Sequence, residues 1–453
     1  MTTNNKKLIL ASIAAFVLFV FTIGFSTGSF AAASGPQNEP LVQFTDLQYL
    51  GAFRGPACTG SSCLDSWGAS AMGYRPPYSG QPNGSLFVSC AFTDQTMAEI
   101  SIPPLVNSND ATKLNQATFL QPCSDPRAGA TYNVSAGQAS TPVGGIIVNG
   151  SQLVVSYYSQ YDATFDQQAS HYVKSSLNLA ASDAKGPYAV AQTGVQTQGT
   201  VGFTSGPMAW IPSEWRASFG NKLLIAYNGE LSIGNRTSHG PAAFAFNPSD
   251  LTSVSPNSST YPANPAPSVP LVYYDEPHQT IGGPNSIYNG SSVFYNAVVV
   301  PSVRGLVIPD GTRSALYFQG QAMGPSVVYG GTDCQNQHGY TDPPYHMILL
   351  AYDLNNWANS ASNPSAYPPY NNIPYAAWDL TATSAFPLLG GDSSCQGYGG
   401  GAVYDSAHQI LYWVATKHDP LTAYGMGPII YAWHVNAAVP NSSPAAPGNL
   451  RKR

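Results

Sequence analysis

The chain has 453 residues, of which 43% are hydrophobic and only 9% are charged, and its formal net charge is −6. Aromatic and β-branched residues recur along its length, which excludes an intrinsically disordered protein, and the negative charge provides no basic surface for a nucleic acid. Average soluble proteins contain about 25% charged residues. A surface built largely from hydroxyl and amide groups favours an extracellular or acidic environment.

The N-terminus has the pattern of an export signal. Lys6 and Lys7 precede an apolar run over residues 8–25, and alanines at 31–33 suit a signal peptidase. We therefore predict a signal peptide over residues 1–33, although the apolar run also reaches the lower limit for a retained membrane anchor. No later segment of the sequence is long and apolar enough to cross a bilayer. The predicted location is secreted, either extracellular or periplasmic.

Six cysteines in an exported chain indicate three disulfides. The connectivity does not follow from the sequence, because six cysteines allow many pairings. Proximity along the chain favours Cys58–Cys63, Cys90–Cys123 and Cys334–Cys395. A zinc site at the first pair is disfavoured, because the spacing is wide and no histidine lies nearby.

A short pattern recurs five times along the chain: a Gly-rich apolar segment, a turn, and a second strand of aromatic or β-branched residues. Residues 144–158 and 399–414 are the clearest copies, and looser copies begin near Gly68, Ser205 and Arg304. A recurring supersecondary unit of this kind is typical of a radial architecture in which neighbouring units bury one another. The sequence therefore predicts an all-β fold consisting of a single β-propeller.

The predicted strands follow in chain order. Residues 47–54 form a first strand. The five units then comprise residues 68–74, 86–92 and 97–103; 144–148, 153–159 and 171–177; 205–211, 223–229 and 242–248; 304–308, 315–321 and 348–354; and 399–404, 410–416 and 429–435. Fourth strands are predicted at 187–192, 271–275 and 376–380. Since no stretch after residue 33 has sustained helical periodicity, helix should be minor.

The Gly-rich segments are assigned as the innermost strands, since small residues permit close backbone approach around the axis. The next strand outward lies between neighbouring units and should be apolar on both faces. The propeller is predicted over residues 42–437, with five blades as the first choice and six or seven left open. The Pro/Ser-rich residues 438–453 are predicted to be a linker or a disordered tail.

Polar residues follow the predicted second strands. The loops after these strands open on the same face as the starts of the inner strands, around the axial funnel where ligands usually bind. Solvation alone also places charged residues in loops. The candidates are Asp94, Asp162, Glu230, Arg236, His239, Asp333, His338, His418 and Asp419.

Three of these positions, Asp162, Glu230 and Arg236, suggest particular chemistry. Asp162 follows Tyr158, whose ring could stack on a sugar, although an Asx turn is the simpler interpretation. Glu230 could act as a general acid if burial raises its pKa. Arg236 could bind an anion through two hydrogen bonds, or pair with a loop carboxylate.

His418 could be a base that Asp419 orients, although adjacent side chains often point apart. The chain lacks a nucleophile elbow, a zinc-protease motif, a phosphate-binding loop and a dinucleotide fingerprint. No cofactor is therefore predicted. Ca²⁺ bound by loop carboxylates or carbonyls is left open.

Two resemblances add to this interpretation. The Gly-Gly strand, the apolar strand and the Ser-Ser-Leu-Asn-Leu or Pro-Ser-Asp-Leu turn are similar to the blade pattern of five-bladed glycoside hydrolases. That resemblance implies three carboxylates around a funnel. If the protein hydrolyses its ligand, we expect Asp162 or Asp65 as base and Glu230 as acid, because the mechanism needs paired carboxylates. The chain also resembles a group of uncharacterised secreted bacterial proteins. The phrases that carry this second resemblance are 50–54, 158–163, 170–171, 236–246 and 311–314.

The sequence thus predicts a secreted β-propeller that binds a carbohydrate-like ligand in its funnel and could hydrolyse it. The expected substrate contacts are Asp94, Tyr158, Arg236, His239, His418 and Asp419. The alternative is a non-catalytic surface protein that serves in adhesion or assembly, with self-association left open. The sequence does not decide whether the protein is an enzyme.

Overall fold

The computed structural model describes residues 35–58, 64, 68–91, 95–130, 132–134, 141–159, 167–190, 200–220, 224–226, 241–256, 265–274, 302–322, 328–329, 340–341, 345–380, 399–422 and 427–436. The predicted signal peptide and the predicted tail lie outside these residues.

Strands dominate the described residues. They are β1 Leu47–Arg54, β2 Met72–Arg75, β3 Ser85–Ser89, β4 Met97–Ser101, β5 Phe119–Ser124, β6 Val143–Asn149, β7 Gln152–Tyr157, β8 His171–Lys174, β9 Ala184–Tyr188, β10 Met208–Trp210 and β11 Leu224–Ala226. They continue as β12 Ala243–Phe246, β13 Ser268–Val272, β14 Ser302–Val307, β15 Ser314–Ala322, β16 Val328–Tyr329, β17 Tyr340–Thr341, β18 Tyr345–Asp353, β19 Ala376–Asp379, β20 Gly399–Asp405, β21 Ile410–Asp419 and β22 Gly427–Val435.

Helix is minor among the described residues, as the sequence predicted. The α-helices are α1 Pro248–Leu251 and α2 Leu354–Ser362, and the 3₁₀ segments are Pro36–Asn38, Phe44–Asp46, Ala111–Lys113, Thr200–Thr204, Ser213–Phe219 and Pro369–Asn371. The Asp353 side chain accepts a hydrogen bond from the Asn355 backbone N–H at 2.9 Å and so caps the start of α2.

The described strands form five four-stranded sheets and one two-stranded sheet, β16-β17. All strand pairs are antiparallel. The first four sheets run in simple order, β2-β3-β4-β5, β6-β7-β8-β9, β10-β11-β12-β13 and β14-β15-β18-β19. The fifth has the order β1-β22-β21-β20, so the N-terminal strand completes the C-terminal sheet.

The first strands of the sheets contact one another in a closed ring. β2 contacts β6, β6 contacts β10, β10 contacts β14, β14 contacts β20, and β20 contacts β2. The pairing of β1 with β22, from Leu47 opposite Val435 to Arg54 opposite Ile429, joins both ends of the chain in one sheet. These contacts confirm the predicted all-β propeller.

Glycine is required on the inner strands because the neighbouring backbone is so close. A Cβ on Gly144 would lie 1.8 Å from the carbonyl oxygen of Ser205, and one on Gly145 would lie 2.4 Å from that of Gly206. On β20, a Cβ at Gly401 would lie 2.5 Å from the backbone nitrogen of Met72. The Gly-rich segments are therefore the innermost strands, as predicted.

The second strands are buried on both faces. In β7, Leu153, Val154 and Val155 are each at most 1% exposed. Large aromatic rings join neighbouring sheets; Phe318 of the fourth sheet stacks on Trp413 of the fifth, with ring centroids 5.7 Å apart. The hydrophobic core therefore lies between the sheets as well as within them.

One predicted disulfide is present among the described residues. Cys90 and Cys123 are bonded, with their Cα atoms 6.1 Å apart. Cys58 is also disulfide-bonded. The predicted partner Cys63, and the predicted pair Cys334–Cys395, lie outside the described residues. In the described part of the chain, none of the helices has the length and apolar character needed to cross a membrane.

Gly144→Ala should destabilise the ring strongly, because the new Cβ would meet the backbone of Ser205 rather than a flexible side chain. We expect a loss of about 3 kcal/mol in the free energy of unfolding, measured by denaturant titration. Gly150→Ala is the matched control. Gly150 has a φ of +61°, and a Cβ added there would have no neighbouring atom within 4 Å, so only about 1 kcal/mol of backbone strain is expected. Equal losses in the two variants would contradict the close-approach argument.

Candidate functional site

Each sheet has two ends relative to the ring. At the hairpin end, the first strand finishes and turns into the second strand, as Asp405 pairs with Ile410 in the fifth sheet. At the entry end, the first strand begins beside the finish of the second strand, as Gly399 pairs with Ala415. The residues predicted to bind substrate follow second strands in the sequence, and those that the structure describes lie at the entry end.

Most of those residues lie outside the described part of the chain and stay predictions. They are Asp65, Asp94, Asp162, Glu230, Arg236 and His239, together with Asp333 and His338. The structure describes Tyr158, His418 and Asp419.

These three residues are buried. Tyr158 directly follows β7, is 2% exposed, and donates its backbone N–H to the carbonyl of Pro142 at 3.1 Å. His418 and Asp419 end β21 and are 2% and 0% exposed. Asp419 Oδ2 lies 2.7 Å from Arg54 Nε, and its Oδ1 accepts the backbone N–H of Leu421 at 3.0 Å.

The ion pair between Arg54 and Asp419 joins the last residues of β1 and β21, two strands of the closing sheet that flank β22. The sequence does not reveal this structural role, because the two residues are far apart in the chain. The assignment of Asp419 as a substrate contact stays a prediction.

Asp419→Asn tests the structural role. Arg54 is 14% exposed at its side chain, so the variant leaves a largely buried guanidinium without its carboxylate. We expect the free energy of unfolding to fall by about 3 kcal/mol in a denaturant titration. The double variant Arg54→Met with Asp419→Leu removes both charges and should recover most of that loss. An unchanged stability of Asp419→Asn would show that the ion pair does not hold the closing sheet.

The hairpin end contains a cavity of about 620 Å³ on the axis of the ring. We call it the axial cavity. All five sheets contribute to it at or just after the carboxyl ends of their first strands. Its apolar wall includes Ile146, Val148, Met208, Leu306 and Val403, and its aromatic and charged lining residues are Tyr74, Trp210, Tyr404, Glu214, Arg216, Asp310 and Asp405.

The sequence contained a signal for this cavity. Glu214, Asp310 and Asp405 each follow a predicted inner strand within three residues, in a chain where charged residues are scarce. The site residues predicted from the sequence lie almost all after the second strands, and none of them is among the described residues that line this cavity. The axial cavity was therefore not predicted.

The charge of Glu214, a lining residue of the axial cavity, acts on two other carboxyl groups, those of Asp310 and Glu39. Burial raises the pKa of Asp310, and the charge of Glu214 raises it further, while Ser406 and Arg216 act in the opposite direction. Burial also raises the pKa of Glu39, although Trp215 Nε1 donates a hydrogen bond to Glu39 Oε2 at 3.0 Å.

Asp405 is held differently from these carboxyl groups. It is 3% exposed, its Oδ2 lies 2.7 Å from Nδ1 of His408, and its Oδ1 accepts the backbone N–H of Ala407 at 3.1 Å. Burial raises the pKa of Tyr404, with the charges of Asp310 and Asp405 adding to that effect. The tyrosine hydroxyl in the lining therefore stays protonated and can donate a hydrogen bond.

The arrangement offers aromatic faces, carboxylate acceptors, a tyrosine hydroxyl and one guanidinium around a single space. Its volume lies within the range of about 300–1,000 Å³ that is typical of small-molecule sites. The described residues contain no cluster of three or more His, Cys, Asp or Glu that could hold a metal ion. Aromatic faces and hydrogen-bonding groups around one space can together contact a polar organic molecule.

No family model matches the chain, and the comparison with curated proteins finds no match. Among solved structures, the chain is similar to a glycoside hydrolase candidate from Bacteroides ovatus, at 9% identity and a TM-score of 0.36 over 88% of this chain and 97% of that chain. It is similar to the catalytic domain of a GH62 α-L-arabinofuranosidase from Coprinopsis cinerea, at 10% identity and a TM-score of 0.36 over 86% and 98%.

A glucose dehydrogenase-type oxidoreductase candidate from Thermus thermophilus is similar to nearly the same degree, at 9% identity and a TM-score of 0.34 over 85% and 99%. These scores carry no argument about function. The propeller assignment rests on the strand topology described above, and the resemblance of the blade pattern to five-bladed glycoside hydrolases stays a prediction.

Glu39→Gln should stabilise the protein at neutral pH. Because the folded state raises the pKa of Glu39, the stability linked to its protonated form is present at low pH and is lost as pH rises through the folded pKa. Glutamine stays neutral and can still accept the Trp215 hydrogen bond. We expect a higher thermal midpoint for the variant at pH 7 and no difference from the parent at pH 3. A lower midpoint at pH 7 would show that the carboxylate is favourable there.

Proposed function

We propose that the protein is a propeller of five blades, one for each four-stranded sheet, that binds a carbohydrate in the axial cavity. The observation that supports this function is the cavity itself, which combines half-buried aromatic rings with carboxylate groups in about 620 Å³. Sugar rings present C–H faces that pack on aromatic rings, and hydroxyls that donate hydrogen bonds to carboxylates.

The position of the rings fits this use. Trp210 ends β10 and Tyr404 lies near the end of β20, so both side chains are carried by strands of the ring rather than by long loops. Sites on rigid elements hold their geometry better than sites on loops. Tyr74, at the carboxyl-terminal half of β2, stacks on Tyr412 with ring centroids 6.2 Å apart, which fixes its orientation.

Hydrolysis of a carbohydrate at the entry end of the ring is a separate part of the proposal, because the residues assigned to it are not among the described residues that line the axial cavity. It assigns Asp162 or Asp65 as base and Glu230 as acid at the entry end, with Arg236, His239 and His418 orienting the substrate. Its support is the placement of these residues after second strands in the sequence, except for Asp65, which lies just before the first inner strand. Secretion is likewise proposed, and is supported by the sequence of residues 1–33 and by the disulfide between Cys90 and Cys123.

The alternative of a non-catalytic adhesion or assembly protein would be favoured by a broad exposed aromatic patch. The large hydrophobic side chains exposed among the described residues are Tyr132, Tyr367, Ile373 and Leu421. Only two of the four are aromatic, and they lie in separate segments of the chain. No observation on the described surface therefore favours this alternative.

Trp210→Ala tests carbohydrate binding in the axial cavity. A panel of oligosaccharides is screened against the purified chain by calorimetry, and the variant should bind the best ligand about tenfold more weakly, because one aromatic stacking contact is lost. Tyr367→Ala is the control, since Tyr367 is 51% exposed and does not line the cavity. If Trp210→Ala leaves the affinity unchanged, the carbohydrate does not bind in this cavity.

Glu230→Gln tests the hydrolytic part separately. The variant should keep carbohydrate binding and lose turnover of the same ligand, measured by release of reducing ends at acid and neutral pH. If the substitution leaves turnover unchanged, Glu230 is not the general acid. If the parent protein binds the carbohydrate but does not hydrolyse it, the hydrolytic part of the proposal is wrong.

A further inference from the structure

The charges that line the axial cavity do not balance. Its lining contains three carboxyl groups, Glu214, Asp310 and Asp405, and one guanidinium, Arg216. Glu39 is near enough for the charges of Glu214 and Asp310 to raise its pKa. Asp405 is paired with His408, whereas Arg216 donates its Nε–H to the carbonyl of Ile211 at 3.0 Å.

Glu214 and Asp310 lack a salt bridge within the described residues. Glu214 accepts two uncharged donors, the Gly311 backbone N–H and the Ser213 hydroxyl, each at 3.2 Å. Asp310 receives a hydrogen bond from Ser406 and feels the opposing charges of Glu214 and Arg216. Two neighbouring carboxyl groups that are partly removed from water and have no ion-pair partner repel one another when both are ionised. A cation bound between them would stabilise their ionised forms.

The apolar part of the cavity restricts what that cation can be. Aliphatic side chains and the rings of Tyr74, Trp210 and Tyr404 form most of its wall. A small hydrated ion would leave these surfaces unused. A sugar ring that carries an ammonium group would pack on the aromatic side and present its charge to the carboxyl groups, through charge-assisted hydrogen bonds.

We propose that the axial cavity selects an oligosaccharide with free amino groups, of the glucosamine type, and that Glu214 and Asp310 receive its ammonium group. The proposal rests on the proposed carbohydrate function of this cavity and names its ligand class. Uronic acids and sulfated sugars are disfavoured, because they would add negative charge beside carboxylates that already repel one another.

The test compares three probes on the full chain by calorimetry: a β-1,4-linked glucosamine hexamer, the matching N-acetylglucosamine hexamer, and a galacturonic acid hexamer. The first two differ at the amino group, which is charged in one and acetylated in the other. The glucosamine hexamer should bind at least tenfold more tightly than its acetylated counterpart, and more tightly still than the acidic probe. The advantage should shrink as salt is added, because a partly exposed ion pair is screened.

Asp310→Asn should remove most of the advantage of the glucosamine hexamer over the acetylated one. Asp110→Asn is the matched control, because it makes the same change of charge at an exposed carboxylate that does not line the cavity. Trp210→Ala should weaken both hexamers by a similar factor. An oligolysine of equal charge should bind weakly, since it has no ring to place on the aromatic wall.

The outcomes separate the two proposals. If the neutral hexamer binds as well as the amine, or the acidic one binds best, the amino-sugar inference is overturned while carbohydrate binding stands. If oligolysine matches the glucosamine hexamer, the cavity recognises charge alone and the sugar is the wrong ligand class. If no oligosaccharide in the wider panel binds, the proposed function itself fails, and the inference fails with it.

Discussion

The inner strands of the described four-stranded sheets pack closely against one another around one axis. Where Gly144 meets Ser205 and Gly401 meets Met72, the backbones are too close for any Cβ. This contact fixes how far each sheet can approach the axis, and so it fixes the width of the space that the strands enclose. Because the same strands end around the axial cavity, the glycines also determine which side chains meet there.

Closure of the ring depends on both ends of the described chain. β1 pairs with β22, and Arg54 at the end of β1 meets the buried carboxylate of Asp419. The segment before β1 is held as well: the carbonyl of Pro40 accepts the backbone N–H of Arg313, and the Val42 N–H donates to the Ser314 hydroxyl. The N-terminal segment is thereby fastened to the fourth sheet, and its Glu39 lies near enough to Glu214 and Asp310 to feel their charges.

The sequence predicted the inner strands of the second and fifth units closely, because their alternation of small and bulky apolar residues is set by the ring itself. The predicted strand at 144–148 is Val143–Asn149, and that at 399–404 is Gly399–Asp405. It missed β5, since Pro122 interrupts the apolar pattern. A proline is tolerated there because β5 is the outer edge of its sheet. The pairing of β1 with β22 was not predicted either, because no local sequence pattern indicates a contact between segments so far apart in the chain.

The axial cavity was not predicted, because the sequence shows which polar residues follow strands but not which carboxylates the fold surrounds with hydrogen-bond donors. Glu99 is 2% exposed, and burial alone would raise its pKa. Hydrogen bonds from Gln121, Ser85 and Arg75 lower that pKa below its usual value instead.

Asp310 is less buried than Glu99, yet its pKa is raised, because few hydrogen-bond donors offset the effect of burial and the charge of Glu214 adds to it. A carboxylate that the fold uses for its own stability is surrounded by donors, as Glu99 is. Asp310 and Glu214 meet few donors and face a space large enough for a ligand. The number of hydrogen-bond donors around each carboxylate, rather than the number of acidic residues, therefore distinguishes the carboxylates of the axial cavity from the structural carboxylates of the same chain.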